Sequence, residues 1–579
     1  MKFNISQLLN HSTGTDSKLN GDSVIETSDR FGDLQDFEHP FVHVNKERCV
    51  GCQDCIRRCP TGALSIDYQR WIAQVDNDIC VGCRQCERIC AFSAILVDGP
   101  VLVSESMPAT QLHPTEILGN KDEIRQGFSS WQEALSEAYR CLECPEPTCV
   151  RGCPAHNDIP GFIAAIRAQD LKRAHQVLAR TSIMPDACSR VCDWDNQCQG
   201  ACTWTLAGDH PVAIGRLERF ITEFGDFSAF ERTSSKAQGK KVAVVGAGPG
   251  GMAVAWELLA HGASVTMLEK AAETGGVMNW GIPSYVLPDT VPKRIIDTLI
   301  EAGLDLRTNT ALGQDVELEG LLSEYDAVVL AYGASKPIHM PIKGIDLEGV
   351  EDANDFLYMG KNALRRQQSI DELKGARILV LGAGNTAMDV ARTSLRLDAH
   401  PMAIDWMNEQ FARVRHDELE EARLEGVEVE FLTTLVEIVG DDQGKVKEVV
   451  LKHTVQHQAS ELPKIIEDSI EIVPVDKVVF AMGYKVDSSL VHNLVKMPHA
   501  LPKINEEIHD RRWLASGIFS VKDPKVADLA LEREEMRLWA ADPQADHLWV
   551  IGDAFSGPST VVTSMAQGRD AARSIIEDI

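Results

Sequence analysis

The residues of this 579-residue chain best placed to do chemistry are its sixteen cysteines, all between Cys49 and Cys202. Cys49, Cys52, Cys55 and Cys59 are spaced C-x2-C-x2-C-x3-C and followed by proline. Cys80, Cys83, Cys86 and Cys90 repeat that spacing with Ala91 in the proline's place. Thiolates spaced in this way ligate iron–sulfur cubanes, and in the paired arrangement the fourth cysteine of each run crosses to the other cluster. One 4Fe–4S cluster is therefore expected on Cys49, Cys52, Cys55 and Cys90, the other on Cys80, Cys83, Cys86 and Cys59. Zinc is the alternative, because C-x2-C pairs also bind it; two complete repeats of one spacing favour iron and sulfide. A second set comprises Cys141, Cys144, Cys149 and Cys153, then Cys188, Cys192, Cys198 and Cys202. It suggests two more clusters without fixing which cysteine serves which. Tight thiol clusters of this kind suit a reducing compartment, whereas a secreted disulfide framework spreads its cysteines through the fold.

The elements that must hold these ligands can be read along the chain. Residues 1–44 are polar and acidic, which predicts an extended or disordered lead. Residues 45–103 contain "CVGCQDCIRRCPTGALSI" and then "CVGCRQCERICAFSAILV", a duplicated unit with the same apolar tail, which predicts a two-cluster ferredoxin-like domain. In residues 104–235, Phe162, Ile163, Ile166, Leu171 and Leu178 recur at helical intervals, so a helical iron–sulfur domain is expected. After the polar linker "SSKAQGKK", strand and helix patterns alternate. The whole reads as a multidomain α/β and α+β chain.

Two stretches of that second half carry nucleotide chemistry. "KKVAVVGAGPGGMAVAWELLAHGASVTMLEK" reads strand, Gly246, Gly248 and Gly251 in G-x-G-x-x-G, helix, then a strand ending in Glu269. The glycines permit a tight turn and close approach of a pyrophosphate to the helix N-terminus, and the acid accepts hydrogen bonds from a ribose. "GARILVLGAGNTAMDVARTSLRL" repeats the pattern with Gly382, Gly384 and Ala387, and Asn385 inside the motif. Two Rossmann-like dinucleotide-binding domains are expected.

The formal charge of −29 argues against nucleic acid and anionic lipid surfaces. No apolar run reaches the roughly 20 residues of a membrane helix, and the amino-terminal stretch lacks a secretory signal's apolar core. A cytoplasmic protein without membrane insertion is expected.

From about residue 105 to 579 the sequence resembles the small subunit of bacterial glutamate synthase and the amino-terminal part of dihydropyrimidine dehydrogenase. With the ferredoxin-like segment in front, it is similar to the ferredoxin-fused oxidoreductases of that family. The resemblance implies that Cys141, Cys144, Cys149 and Cys202 share one cluster. It implies that Cys153, Cys192, Cys198 and Glu218 hold the fourth, leaving Cys188 spare. "ETGGVMNWGIPSY" and "LWVIGDAFSGPSTVVTSMAQGRDAA" match the family's FAD segments, which brings Lys270, Gly276, Gly552, Asp553 and Val561 to the FAD site beside Glu269. The implied layout is an FAD-binding domain in two parts, 240–345 and 486–579, with an NAD(P)-binding domain, 346–485, inserted between them. Asp326 to Gly333 and Asp476 to Gly483 look like the strands that cross between the two.

NADPH-using members of the family carry Tyr-Arg-Arg at the end of the second strand of the inserted domain. Alignment through "DELEEARLEGVEVEF" puts Asp405, Trp406 and Met407 there, so the phosphate clamp is missing. Glu269 lies 23 residues after Gly246 and Asp405 lies 23 after Gly382. An acid at this offset accepts a ribose 2′-hydroxyl and repels a 2′-phosphate, which predicts NADH. Two alternatives stand: a site that has lost its nucleotide, or a phosphate held by Arg413 or Arg415. No thiol follows Cys202, which excludes disulfide-reductase chemistry at the flavin. The expected activity is electron transfer between NADH and a ferredoxin, or the catalytic subunit of a larger dehydrogenase or reductase complex, through FAD and four 4Fe–4S clusters. The competing readings are a relay subunit with a vestigial nucleotide site and an NADPH-dependent donor like the glutamate synthase small subunit.

Overall fold

A computed structural model describes residues 40–98, 123–207, 210–225, 230–412, 414–487 and 547–578. The chain divides into two compact units, Met1–Leu102 and Val103–Ile579.

In the first unit, Leu64–Asp67 pairs antiparallel with Ile72–Val75, and Phe41–Val44 with Ile95–Asp98. Sequence composition places Phe41–Val44 in the extended lead. It belongs to the ferredoxin-like unit instead, because Val42 is buried against the apolar tail of the second repeat, and the edge of Ile95–Asp98 supplies its hydrogen bonds. Residues 1–39 of the expected lead lie outside the described residues. Each C-V-G-C loop runs into a short helix, Asp54–Arg58 or Gln85–Ile89. The loops share one left-handed turn, with positive φ at Gly51 and Gln53 in one and at Gly82 and Arg84 in the other.

The second unit opens with helices, among them Trp131–Ala138, Ile159–Arg167, Leu171–Leu178, Pro185–Val191 and Ile214–Phe224. Ser130, Asp158 and Asp170 cap the first three by accepting N–H bonds in the first turn. Phe162, Ile163, Ile166 and Leu178 are buried, as helical spacing predicts. Two five-stranded parallel sheets follow. One runs in the spatial order Leu548–Val550, Ala327–Leu330, Lys241–Val245, Ser264–Leu268, Asp305–Arg307; the other in the order Val350–Asp352, Lys477–Phe480, Arg377–Leu381, His400–Asp405, Glu428–Phe431. Helices cover them, and continuous apolar runs such as Ala327–Leu330 are buried on both faces.

The structure corrects two sequence expectations. Ala327–Leu330 and Lys477–Phe480 are interior strands of their own sheets. The crossing between domains is made just beyond them, where Lys336–Pro337 pairs antiparallel with Tyr484–Lys485. Strand–helix alternation also fails between 433 and 474, where Thr433–Gly440, Val446–Val455 and Lys464–Pro474 form an antiparallel meander. No helix among the described residues is long and apolar enough to cross a membrane.

Helix Val561–Asp578 lies across helix Pro249–Ala260 at glycine contacts: a Cβ on Gly568 would sit 2.2 Å from the Gly250 carbonyl oxygen. Gly568→Ala is therefore expected to push the helices apart and cost about 1–3 kcal/mol. Thermal unfolding would read this as a lowered midpoint, and an unchanged midpoint would show that the crossing yields freely.

Candidate cluster and dinucleotide sites

Three cavities coincide with three of the expected ligand sets. Cys49, Cys52, Cys55 and Cys90 ring one of about 370 Å³. Cys59, Cys80, Cys83 and Cys86 ring one of about 330 Å³. Cys141, Cys144, Cys149 and Cys202 ring one of about 380 Å³. In the first two, the fourth cysteine of each run has crossed to the other repeat. Four sulfurs around a cavity suit a cubane, whereas a tetrahedral zinc draws its ligands onto a point. The electrostatics favour a cationic group among them. Burial pushes the Cys55 thiol up to about 11 and the Cys141 and Cys149 thiols up to about 12. Backbone N–H groups already point at sulfur: Ala73 donates to Cys49 (3.3 Å), Gly82 to Cys80 (3.5 Å) and Ala94 to Cys90 (3.2 Å).

The fourth set is gathered differently. Cys153, Cys192, Cys198 and Glu218 are electrostatic neighbours of one another, each thiol shifted upward with Glu218 among the causes. Glu218 sits on helix Ile214–Phe224, its carboxylate fully withdrawn from solvent, and burial pushes it up to about 8. Its Oε1 has no hydrogen-bond partner. An orphaned carboxylate facing three thiols fits a cationic group far better than the solvated helix carboxylate that its sequence context suggests. Cys188 is buried beside it and hydrogen-bonds with Cys192.

The two glycine loops divide their labour in the same way. A Cβ on Gly246 would meet the Ala331 carbonyl oxygen at 2.4 Å, one on Gly251 the Gly246 oxygen at 2.0 Å, and one on Gly382 the Ala481 oxygen at 2.7 Å. These glycines serve the protein's own packing, and Ala387 stands where the second loop leaves room. Gly248 and Gly384 are the N-caps of Pro249–Ala260 and Asn385–Arg396. A Cβ on either would meet no atom within 4 Å, which is open space for a pyrophosphate.

The acids are held identically in the two copies. Glu269 accepts N–H bonds from Ala247 (2.8 Å) and Ala271 (2.9 Å); Asp405 accepts them from Ala383 (3.0 Å) and Met407 (2.8 Å). Each carboxylate oxygen keeps a lone pair for a ribose hydroxyl. The stretch after Asp405 is pinned by the meander, with Thr454 Oγ1 donating to the Trp406 carbonyl (2.6 Å) and Asn408 N–H to Gln456 (2.9 Å). Asn385 accepts the Arg415 N–H (2.9 Å). The Arg415 guanidinium is turned inward, paired with Asp417 and stacked 4.7 Å from the Trp194 ring. It is not presented to the nucleotide loop; Arg413 lies outside the described residues.

Around the first loop, the Gly275 N–H donates to the Ala247 carbonyl, and Gly276, at positive φ, packs against Gly248. Gly552 caps the short helix begun by Asp553. Asp553 accepts from Ser559 N–H, Ser559 Oγ and Ser564 Oγ. Val561 opens the last helix, and Lys270 is exposed just beyond the end of the interior strand Ser264–Leu268. Sequence reasoning missed the contacts that join this site to the helical part. Gln197, beside Cys198, donates to Thr560, beside Val561 (3.3 Å), and Arg569 donates to the carbonyls of Ala155 and Thr181. Cys198 of the fourth expected set therefore lies one residue from a contact with the segment expected to bind FAD.

Over 470 residues the chain is 32% identical to the NADPH glutamate synthase small chain of Escherichia coli K12, covering 78% of this chain and 93% of that one. The chain belongs to that family. Residues 48–94 match the 4Fe–4S dicluster domain, 118–228 the dihydropyrimidine dehydrogenase domain II 4Fe–4S cluster, and 240–521 the pyridine nucleotide-disulphide oxidoreductases. UacF of Escherichia coli K12 is 29% identical over 92% of this chain and 81% of its own length. The NAD-dependent dihydropyrimidine dehydrogenase subunit PreT of Salmonella typhimurium is 35% identical over 47% of this chain and 64% of its own. This family member is an oxidoreductase with FAD, nicotinamide-nucleotide and 4Fe–4S domains.

Glu218→Ala removes the buried carboxylate without touching a cysteine. It is expected to change the electron paramagnetic resonance of one reduced cluster and leave the others alone; an unchanged spectrum at full iron content rules out a ligand role.

Proposed function

We propose that the chain passes electrons between NADH and a partner redox protein, with FAD and four 4Fe–4S clusters between them. The partner is a ferredoxin or the catalytic subunit of a larger complex. The cluster ligands would be Cys49, Cys52, Cys55 and Cys90; Cys59, Cys80, Cys83 and Cys86; Cys141, Cys144, Cys149 and Cys202; and Cys153, Cys192, Cys198 and Glu218. When bound, FAD supplies the exchange between a hydride pair and single electrons. This chain's residues orient the two dinucleotides and keep water from the thiolates; none is needed as nucleophile or base.

The observation that carries the NADH reading is the twin acid latch. Asp405 holds its glycine loop as Glu269 holds the loop expected to bind FAD, which supports a reading in which its negative charge would meet a 2′-phosphate. Arg415 is engaged by Asp417 and Trp194 and offers no compensation. Family membership does not decide the matter, since the relatives' names include both NADPH and NAD. The domain layout proposed with this function is 45–103 for the ferredoxin-like part, extended to Phe41, then 104–235, 240–345, 346–485 and 486–579.

NADH is expected to bleach the flavin anaerobically at least about ten-fold faster than NADPH, a difference of about 1.4 kcal/mol. Asp405→Asn should narrow that ratio by removing the repulsive charge. Faster bleaching by NADPH would overturn the donor assignment, and bleaching by neither nucleotide would leave a relay subunit with a vestigial site. Iron analysis should return about four irons for each of four clusters.

A further inference from the structure

The two cysteine repeats are nearly identical in sequence, yet the first unit exposes them unequally. Cys52 is exposed where the other fifteen cysteines are half-buried or buried, and Cys83, its counterpart in the second repeat, is 8% exposed. Around Cys52 the surface is apolar. Val50 is 51% exposed and Phe92 47%, and both line the cavity ringed by Cys49, Cys52, Cys55 and Cys90. Trp71 lies on Gly51 so closely that a Cβ there would meet its ring at 2.5 Å. Tyr68, 75% exposed, packs beside Trp71 with ring centroids 5.9 Å apart. These side chains form one patch over a hairpin turn and a cluster loop. Exposed large aromatics grouped in this way mark interaction sites.

Charge indicates what the patch receives. Residues 40–98 carry seven Lys or Arg against seven Asp or Glu, and the first unit as a whole, Met1–Leu102, ten against fourteen, in a chain whose formal charge is −29. Between residues 46 and 70, Lys46, Arg48, Arg57, Arg58 and Arg70 outnumber the three carboxylates. Arg57 and Asp54 pair with each other, which leaves Lys46, Arg48, Arg58 and Arg70 against Glu47 and Asp67. Arg57 and Arg58 stand on the helix that follows Cys52, and Arg70 on the turn that carries Trp71. An apolar centre with a basic rim is complementary to an apolar centre with an acidic rim.

We propose that the face around Cys52, framed by Val50, Tyr68, Trp71 and Phe92, is the seat of a one-electron carrier protein with an acidic docking rim. This rests on the electron-transfer reading above and names the partner's chemistry. The balance is one NADH oxidised to NAD⁺, two carrier molecules each gaining one electron, and one proton released.

The test uses the full chain with its clusters and an oxidised, acidic plant-type two-iron ferredoxin as probe, with binding followed by thermophoresis. Binding should weaken as salt rises. Trp71→Ala and the pair Arg58→Glu/Arg70→Glu should each weaken it about ten-fold, and hydroxyl-radical footprinting should show Trp71 and Tyr68 protected only when the ferredoxin is present. If Trp71→Ala loses iron, the charge-reversed pair decides alone, since neither arginine packs on Gly51. Unchanged affinity in that pair, tighter binding of basic cytochrome c, or protection of Trp71 in the chain without a carrier would overturn the proposal. Flavin bleaching by nucleotide should be unaltered in all variants. Its absence in the unsubstituted chain would defeat the electron-transfer reading, while binding and footprint report separately on the docking face.

Discussion

Thiols withdrawn from water and arranged around cavities are the constraint on which this molecule depends. An interior normally fills such volumes with side chains, and a buried thiolate without a counter-charge is costly. Here three cavities are ringed by cysteines, and buried sulfurs in both units are shifted upward by desolvation. The inward N–H groups and the partnerless carboxylate oxygen of Glu218 suit cationic groups in those positions. The segments that match 4Fe–4S domains, residues 48–94 and 118–228, are the ones whose cysteines are withdrawn from water in this way.

The second organising device is a carboxylate at the end of a strand that ties down the glycine loop of the strand before it. Glu269 and Asp405 do this with matching bonds, so each acid has a structural duty besides the ribose contact proposed for it. Around this shared plan the two domains diverge. The meander grips the stretch after Asp405, and Arg125 of the helical part reaches Glu418 and Glu421, which with Glu425 also bind the wholly buried Arg392. The nucleotide domain is fastened to the helical part by buried charge, and the FAD domain by Arg569 and Gln197.

Much of this was legible in the sequence because the signals are local. The cysteine spacing implied the crossing of Cys59 and Cys90, and both glycine motifs sit in the strand–turn–helix–strand setting that their spacing calls for. What was not legible depends on tertiary burial. Glu218 reads as one more charge on an amphipathic helix, and only its packing removes it from water. Arg415 reads as a free cation near a phosphate site; Trp194, more than two hundred residues away in sequence, turns it inward. The meander is hidden because the long strands at 446–474 lie between stretches where strand and helix alternate. Phe41–Val44 is hidden because its partner strand lies some fifty residues downstream.

The parallel sheet of the FAD domain is completed by Leu548–Val550, which pairs with Ala327–Leu330 across more than two hundred residues, whereas the nucleotide sheet is complete once Lys477–Phe480 is present. On a chain made from its amino terminus, the cysteine-bearing segments and the inserted domain can close while the domain around them still lacks an edge. The sheet that carries the first glycine loop therefore gains its last strand only when almost the whole chain is present, whereas the sheet that carries the second needs nothing beyond Phe480.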